Sequence, residues 1–222
     1  MIHIAIDGPA GAGKSTIARA LAAQIGFIYV DTGALYRTVG LFMLRAGIDP
    51  ADEKAVVPLL PDVQVALTFQ EGEQHVLLSG EDVSEAIRTP EVSMAASAVS
   101  AIPAVRAFLL SLQKDLAAAN NVIMDGRDIG TVILPDAQLK IFLTASPQAR
   151  AKRRLEQLRE KGEKVSYEEV LSDIKKRDEQ DINRTTAPLK PAPDACLVDT
   201  SDCTLEESIA RVRELVRGVL GR

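Results

Sequence analysis

Gly8-Pro9-Ala10-Gly11-Ala12-Gly13-Lys14-Ser15 constrains this chain more than any other stretch. It fits the pattern G-x-x-x-x-G-K-[ST] and stands between a short apolar run, Ile2-His3-Ile4-Ala5-Ile6, and a helix-forming stretch from Thr16 to Ile25. A strand, a glycine-rich turn and a helix in that order make a cradle for phosphate. Glycine lets the backbone curl until successive N–H groups point inward, and the N-terminus of the following helix adds partial positive charge. In such a cradle the residues from Gly8 to Thr16 surround a nucleoside triphosphate, Lys14 reaches its β- and γ-phosphates, and the Ser15 hydroxyl ligates Mg2+.

At 222 residues the chain holds one α/β domain with an insertion, or two very small domains. Hydrophobic residues at 46% and charged residues at 26% are the proportions of a soluble globular protein with a sizeable core. The apolar runs fall short of a membrane span, and Met1 leads into one of them without a basic segment, so a cytoplasmic protein is expected. Cys196 and Cys203 lack C-x-x-C spacing, and with only His3 and His75 beside them no zinc site assembles; both read as reduced thiols. The net charge of −5 argues against a nucleic-acid coat, yet residues 150–190 hold twelve Lys/Arg against nine Asp/Glu. That segment is either an exposed helix laced with ion pairs or a clamp for a compact polyanion.

The order of elements follows from periodicity. After the first helix, ending at Gly26, comes the apolar run Phe27-Ile28-Tyr29-Val30, then Asp31-Thr32-Gly33-Ala34-Leu35-Tyr36-Arg37 and an amphipathic helix stopping at Gly47. Val63 to Phe69 alternates with period two, Glu71-Gly72-Glu73 reads as a turn, and His75 to Leu78 follows: an antiparallel hairpin inserted in a βαβ chain. Helices are expected around Ser93–Ala101 and Pro103–Ala119, then strands at Val122–Asp125 and Leu139–Leu143. Ser146-Pro147 opens a basic helix to Gly162, and Ser166 with Glu169 opens another to about Arg184. A final strand at Ala195–Val198 and a helix capped by Thr204 and Glu207 complete an α/β fold of about five parallel strands wrapped by helices. Asp7, Asp31 and Asp125 each follow an apolar run, where a carboxylate can support Mg2+; Asp31 is marginally favoured because Thr32-Gly33 keeps its surroundings open.

Four motifs, the Gly8–Thr16 loop, Asp31–Arg37, Asp125-Gly126-Arg127-Asp128-Ile129-Gly130-Thr131, and Arg177-Asp178 to Asp181-Ile182-Asn183-Arg184, together resemble those of bacterial-type cytidylate kinases. These are nucleoside monophosphate kinases of the P-loop kinase fold, and the resemblance covers nearly the whole chain. It implies ATP-dependent phosphorylation of CMP and dCMP with Mg2+, by a monomer without nucleic-acid or membrane partners. It also implies a core (1–60 and 93–222), a nucleotide-monophosphate insert at 61–92, and a mobile lid at about 147–166.

The resemblance carries roles with it. Lys14, Arg127, Arg150 and Arg154 serve catalysis, and Arg153 joins the phosphate loop in holding ATP. Tyr36, Arg37 and Arg127 hold the acceptor phosphate, with Thr32 in the same nucleotide site, while Ser97, Arg106 and Asp128 form the base site. Arg177 and Asp181 contact ribose or phosphate, and Arg184 reaches the same nucleotide. Chemically, transfer to a phosphate acceptor needs no strong base, so positioning and charge neutralisation dominate and arginine is the suitable residue. Asp128 can accept a hydrogen bond from the exocyclic amino group of cytosine, where uracil has a carbonyl. Ser97 reads equally well as a small helix-packing residue, and Arg177 with Asp181 as an i, i+4 ion pair.

Other small-molecule kinases of the same fold, such as a shikimate-type or dephospho-coenzyme-A-type enzyme, fit the insert and the Asp128 and Arg106 combination less well. A guanine-specific switch would carry Asn-Lys-x-Asp, which is absent, and a nucleic-acid-binding ATPase would show more than 4% aromatic residues.

Overall fold

The apolar runs become strands of one parallel sheet. In the computed structural model, which describes residues 1–70, 73–160 and 162–221, the first half contains β1 (His3–Asp7), α1 (Lys14–Ile25), β2 (Ile28–Asp31), α2 (Thr32–Arg45) and α3 (Glu53–Val56). There follow β3 (Val65–Gln70), β4 (Glu73–Leu78), β5 (Glu81–Asp82), α4 (Pro90–Ser100) and α5 (Pro103–Ala119). The second half contains β6 (Val122–Gly126), β7 (Leu139–Thr144), α6 (Pro147–Glu160), α7 (Tyr167–Asn183), β8 (Cys196–Asp199) and α8 (Leu205–Leu220). Residues Glu71 and Gly72 of the expected turn lie outside the described residues.

The five-stranded sheet runs β2-β6-β1-β7-β8, every pair parallel. Its inner strands are buried on both faces, which is why their sequences are continuously apolar rather than alternating. Ile4 and Ile6 meet α1 and α8 on one face, whereas Ala5, Val30 and Met124 pack with Ile129 and Ala117 on the other. The register sets Asp31 beside Asp125 and Asp7 beside Gly126, so the carboxyl ends of β2, β6 and β1 form one edge. Open α/β sheets bind ligands at such an edge.

The insertion is larger than its hairpin. A short third strand joins it, giving the antiparallel order β3-β4-β5, and a 3-10 turn at Val57–Asp62 leads into it. Its apolar side, with Val76, Leu78, Val83 and Ile87, merges into one cluster with α2, α4 and α5. Helices α2 and α4 approach so closely that a Cβ on Gly40 would lie 3.0 Å from the Ala95 Cβ. Helix α4 starts at Pro90, three residues before the expected Ser93, because the Thr89 hydroxyl accepts from the Val92 N–H and Pro90 occupies the first turn.

Helices α6 and α7 pair through Ala151, Leu155, Leu158, Val170 and Ile174, an apolar seam separate from the main cores. The expected capping boxes are present at Ser166/Glu169 and Thr204/Glu207. Among the described residues no single helix is long and apolar enough to cross a membrane.

Candidate active site

The phosphate loop is fixed by backbone contact at its start. Gly8 has φ +148°, and a Cβ there would lie 1.9 Å from the Leu143 carbonyl oxygen, so a side chain is excluded twice over. Gly11 and Gly13 take left-handed φ values of 75° and 93°, which curl the loop into the N-terminus of α1. Lys14 is buried and its ammonium donates to the Pro9 carbonyl at 2.8 Å, folding the side chain over the loop. Burial first, and Arg127 next, pull the Lys14 pKa down, although Asp125 and Asp181 act in the opposite sense.

The three aspartates at the sheet edge have different partners. The Ser15 hydroxyl donates to Asp125 at 2.8 Å, and the Tyr29 hydroxyl donates to the other oxygen of the same carboxylate at 3.1 Å. Burial, followed by the charge of Asp31, pushes the Asp125 pKa upward. Asp31 caps α2, accepting from the Ala34 N–H at 3.0 Å, and pairs with Arg37 at 2.6 Å. Burial alone would raise its pKa, but Arg37 and then Arg88 outweigh it and hold the carboxyl low. Asp7 accepts from the Ile129 and Gly130 N–H groups at 2.7 and 2.8 Å.

Of the three aspartates it is Asp125, not Asp31, that holds the Ser15 hydroxyl. Strand order explains the difference. β6 lies between β2 and β1, so Asp125 adjoins the phosphate-loop strand and Asp31 stands one strand further away.

Beyond β6 the acceptor-side residues converge. Arg127 donates to Asp181 at 2.7 Å, so Asp181 serves Arg127 rather than forming the i, i+4 pair with Arg177. The buried Asp128 pairs with Arg106, and Arg184 approaches it at 3.5 Å. Arg106 also lies 5.4 Å from the centroid of the Tyr36 ring and donates to the Ser100 carbonyl. Ser97 sits one turn earlier on α4, half-buried, with its carbonyl taken by the Ser100 hydroxyl. The Thr32 hydroxyl donates to the Asp125 carbonyl, tying the start of α2 to β6.

Among the described residues three guanidinium nitrogens here are buried without a hydrogen-bond partner: the Nε of Arg37, the Nε of Arg177 and one terminal nitrogen of Arg184. Burial, then Arg127, and with them Arg37 and Arg154, press on the Arg177 charge. Burial alone would raise the Asp181 pKa, but Arg127, then Arg184 and Arg177, outweigh it and hold the carboxyl low. Arg184 donates to the Ala187 carbonyl at 2.6 Å, and Ala187 holds a left-handed φ of 49°, an uncommon conformation for alanine.

On α6, Arg150 is buried and makes a two-pronged pair with Asp178, at 2.9 and 2.5 Å, while also donating to the carbonyls of Ala145 and Ala10. Pro9, Arg150, Asp178, Ile182 and Leu189 line part of an adjoining cavity of about 330 Å³. Arg153 does not share the Asp178 carboxylate with Arg150. It donates to the Thr200 and Cys203 carbonyls, because the loop after β8 runs beside α6. Arg154 is half-buried and faces the Arg177 group.

Two contributors were not singled out from sequence. Tyr29 could have been found, since it precedes Asp31 by two on a strand and shares its face. Gln74 of β4, whose side chain accepts from the Asp31 N–H at 2.9 Å, gives no sequence signal. Among the described residues no three His, Cys, Asp or Glu side chains gather into a metal-binding group.

A parallel sheet, a phosphate loop entering α1 and a cluster of buried arginines beside it define a P-loop kinase, an ATP-dependent phosphotransferase. Within that class the chain belongs to the cytidylate kinase family, whose model matches residues 4–218. It is 53% identical over 214 residues to a cytidylate kinase of Caldicellulosiruptor bescii, covering 96% of this chain and 95% of that one. A cytidylate kinase of Caldanaerobacter subterraneus is 53% identical over 216 residues, covering 97% and 95%. Among solved structures, an uncharacterized protein from Eubacterium ventriosum shares the fold, with TM-score 0.55, 12% identity and full coverage of both chains.

Proposed function

We propose that the protein transfers the γ-phosphoryl group of ATP to CMP, and to dCMP, giving ADP and the corresponding cytidine diphosphate. An oxygen of the acceptor phosphate attacks the γ-phosphorus, and the bond to the β–γ bridging oxygen breaks as the new one forms. The acceptor oxygen is already anionic, so the chain supplies orientation and positive charge rather than a strong base.

The observation that carries this reading is the crowded guanidinium group. Arg37, Arg177 and Arg184 hold buried N–H donors without hydrogen-bond partners, although Asp31, Asp181 and Asp128 offset part of the charge. Donors left over in a buried cationic pocket are costly unless an anion enters it. A phosphate bound there faces Lys14 and the loop on one side and leaves its nucleoside directed toward Asp128 and Arg106. Asp128 accepts from the cytosine amino group, and Tyr36, Ser97 and Arg184 complete the surroundings of that nucleotide.

Arg150 and Arg154 neutralise the transferring group, and Arg153 braces the ATP side through the loop after β8. Residues 61–92 cover the acceptor, and about 147–166 close over ATP. Ser15 and Asp125 are the residues that would hold Mg2+, since a hydroxyl and a carboxylate are the hard oxygen donors that such an ion takes. When bound, the metal would shield phosphate charge.

The test is ATP consumption by purified protein with Mg2+ and, separately, CMP, dCMP, UMP, AMP and shikimate. Turnover confined to CMP and dCMP is expected. Turnover with shikimate or AMP alone would overturn the base site, and hydrolysis indifferent to any acceptor would overturn the transferase reading.

A further inference from the structure

The turn that carries Asp128 is irregular and short. Asp128 has φ −147° and ψ 26°, and the following residues, Ile129–Ile133, form one π-helical turn closed by the Leu134 N–H on the Ile129 carbonyl at 2.7 Å. The first N–H groups of any such turn lack partners inside it. Here they belong to Ile129 and Gly130, and both are taken by one carboxylate from a distant strand, that of Asp7. Asp7 is buried and ends β1, so the next residue, Gly8, begins the phosphate loop.

A second support lies across the turn. Lys140 of β7 lays its aliphatic stem over Gly130, close enough that a Cβ there would sit 3.1 Å from the Lys140 Cδ and 3.4 Å from the Asp7 Oδ2. Its ammonium is held away at Asp194, 2.8 Å off. The turn is thus gripped from inside by Asp7 and from outside by Lys140.

We propose that Asp7 is a positioning residue for base selection, holding the Ile129–Gly130 backbone so that the Asp128 carboxylate stays aimed at the acceptor base. This rests on the reading of Asp128 as the acceptor for the cytosine amino group. Asp7 touches neither nucleotide. Because it also abuts the phosphate loop, it joins the two substrate loops through a single carboxylate.

The test compares kcat/KM for CMP and UMP in the parent and in Asp7→Asn, Gly130→Ala and Asp128→Ala, with the inhibition constant of UMP against CMP where UMP turnover is too slow to follow. Asparagine presents only one acceptor to the two N–H groups. Asp7→Asn is expected to lower kcat/KM for CMP by ~10–100-fold and the CMP-over-UMP ratio by ~10-fold, the scale of one base contact. The KM for ATP should stay within ~3-fold, since the phosphate loop keeps its own backbone contacts. Gly130→Ala keeps the carboxylate but crowds the turn, and it should lower the ratio as well; it decides the matter alone if Asp7→Asn does not fold. Equal losses for CMP and UMP in the folded variants would overturn the inference. A ratio lowered by Asp128→Ala but untouched by the other two would reject the role of Asp7 and keep the base site. A ratio untouched by Asp128→Ala would reject the base site itself, and the role of Asp7 with it.

Discussion

The Ser15 hydroxyl donates to the Asp125 carboxylate at 2.8 Å across 110 residues of sequence. The contact joins the last residue of the phosphate-loop motif to the C-terminal end of the neighbouring strand, and Tyr29 steadies the same carboxylate from β2. That carboxylate is buried at a cost, its pKa raised from 3.8 to about 6 by burial and then by Asp31.

The sign of that cost gives the first prediction. A carboxyl whose folded pKa lies above its unfolded value binds protons more tightly when folded, so the native state loses stability as pH rises from about 4 to about 6. Asp125→Asn cannot ionise, and the two hydroxyls that donate to the carboxylate can reorient around an amide. Melted without ligand at pH 8, the variant should exceed the parent by ~2–6 °C, with the gap closing near pH 4. Its turnover should nonetheless fall ~100-fold or more. A variant that melts lower at both pH values would contradict the assignment of a costly buried charge.

Arg177→Met removes a guanidinium crowded by Arg127, Arg37 and Arg154. Since its buried Nε has no partner, the loss leaves no protein group stranded. The melting temperature should hold or rise, whereas the KM for CMP should increase ~10–100-fold with little change for ATP. Calorimetry and steady-state kinetics on one preparation separate the two effects; a lower melting temperature with unaltered KM for CMP would make Arg177 a structural residue.

Breaking the Arg106–Asp128 pair strands a charge, because both side chains are less than a tenth exposed. Asp128→Ala should cost ~3–5 kcal/mol in urea unfolding, and Arg106→Leu in the same chain should recover part of it. Strict additivity of the two losses would mean that the residues are energetically independent.

Gly8 and Gly80 both have positive φ, 148° and 85°, yet their surroundings differ. Nothing lies within 4 Å of a Cβ on Gly80, so alanine there should cost only the ~1 kcal/mol of backbone strain. Gly8→Ala meets the Leu143 carbonyl and should cost at least ~3 kcal/mol, if it folds at all. Urea midpoints for the pair would show whether conformation or close approach dominates at the loop.

Much of this architecture is legible in the residues. Continuously apolar runs located the five parallel strands, four of them largely buried and the edge strand β8 mostly exposed, and the capping pairs Ser166/Glu169 and Thr204/Glu207 located two helix starts correctly. The phosphate loop announced itself by spacing. The lateral order of strands is not written locally, however, and it decides that Asp125 rather than Asp31 meets Ser15. Arg153 illustrates the same limit, since helical spacing groups it with Arg150 while a carbonyl 47 residues away draws it aside. Gln74 is hidden for a different reason: a polar residue in a hairpin has many solvent-facing uses, and its reach to the Asp31 backbone depends wholly on how the insert docks.

Helices α6 and α7 share an apolar seam of their own, and each carries part of the site's arginine cluster. Arg150 and Arg154 ride on the first helix; Arg177 and Asp181 ride on the second, with Arg184 at its end. The seam makes the two helices one packing unit, so a cavity cut at Leu155 or Ile174 should displace the cations of both helices together rather than those of one alone.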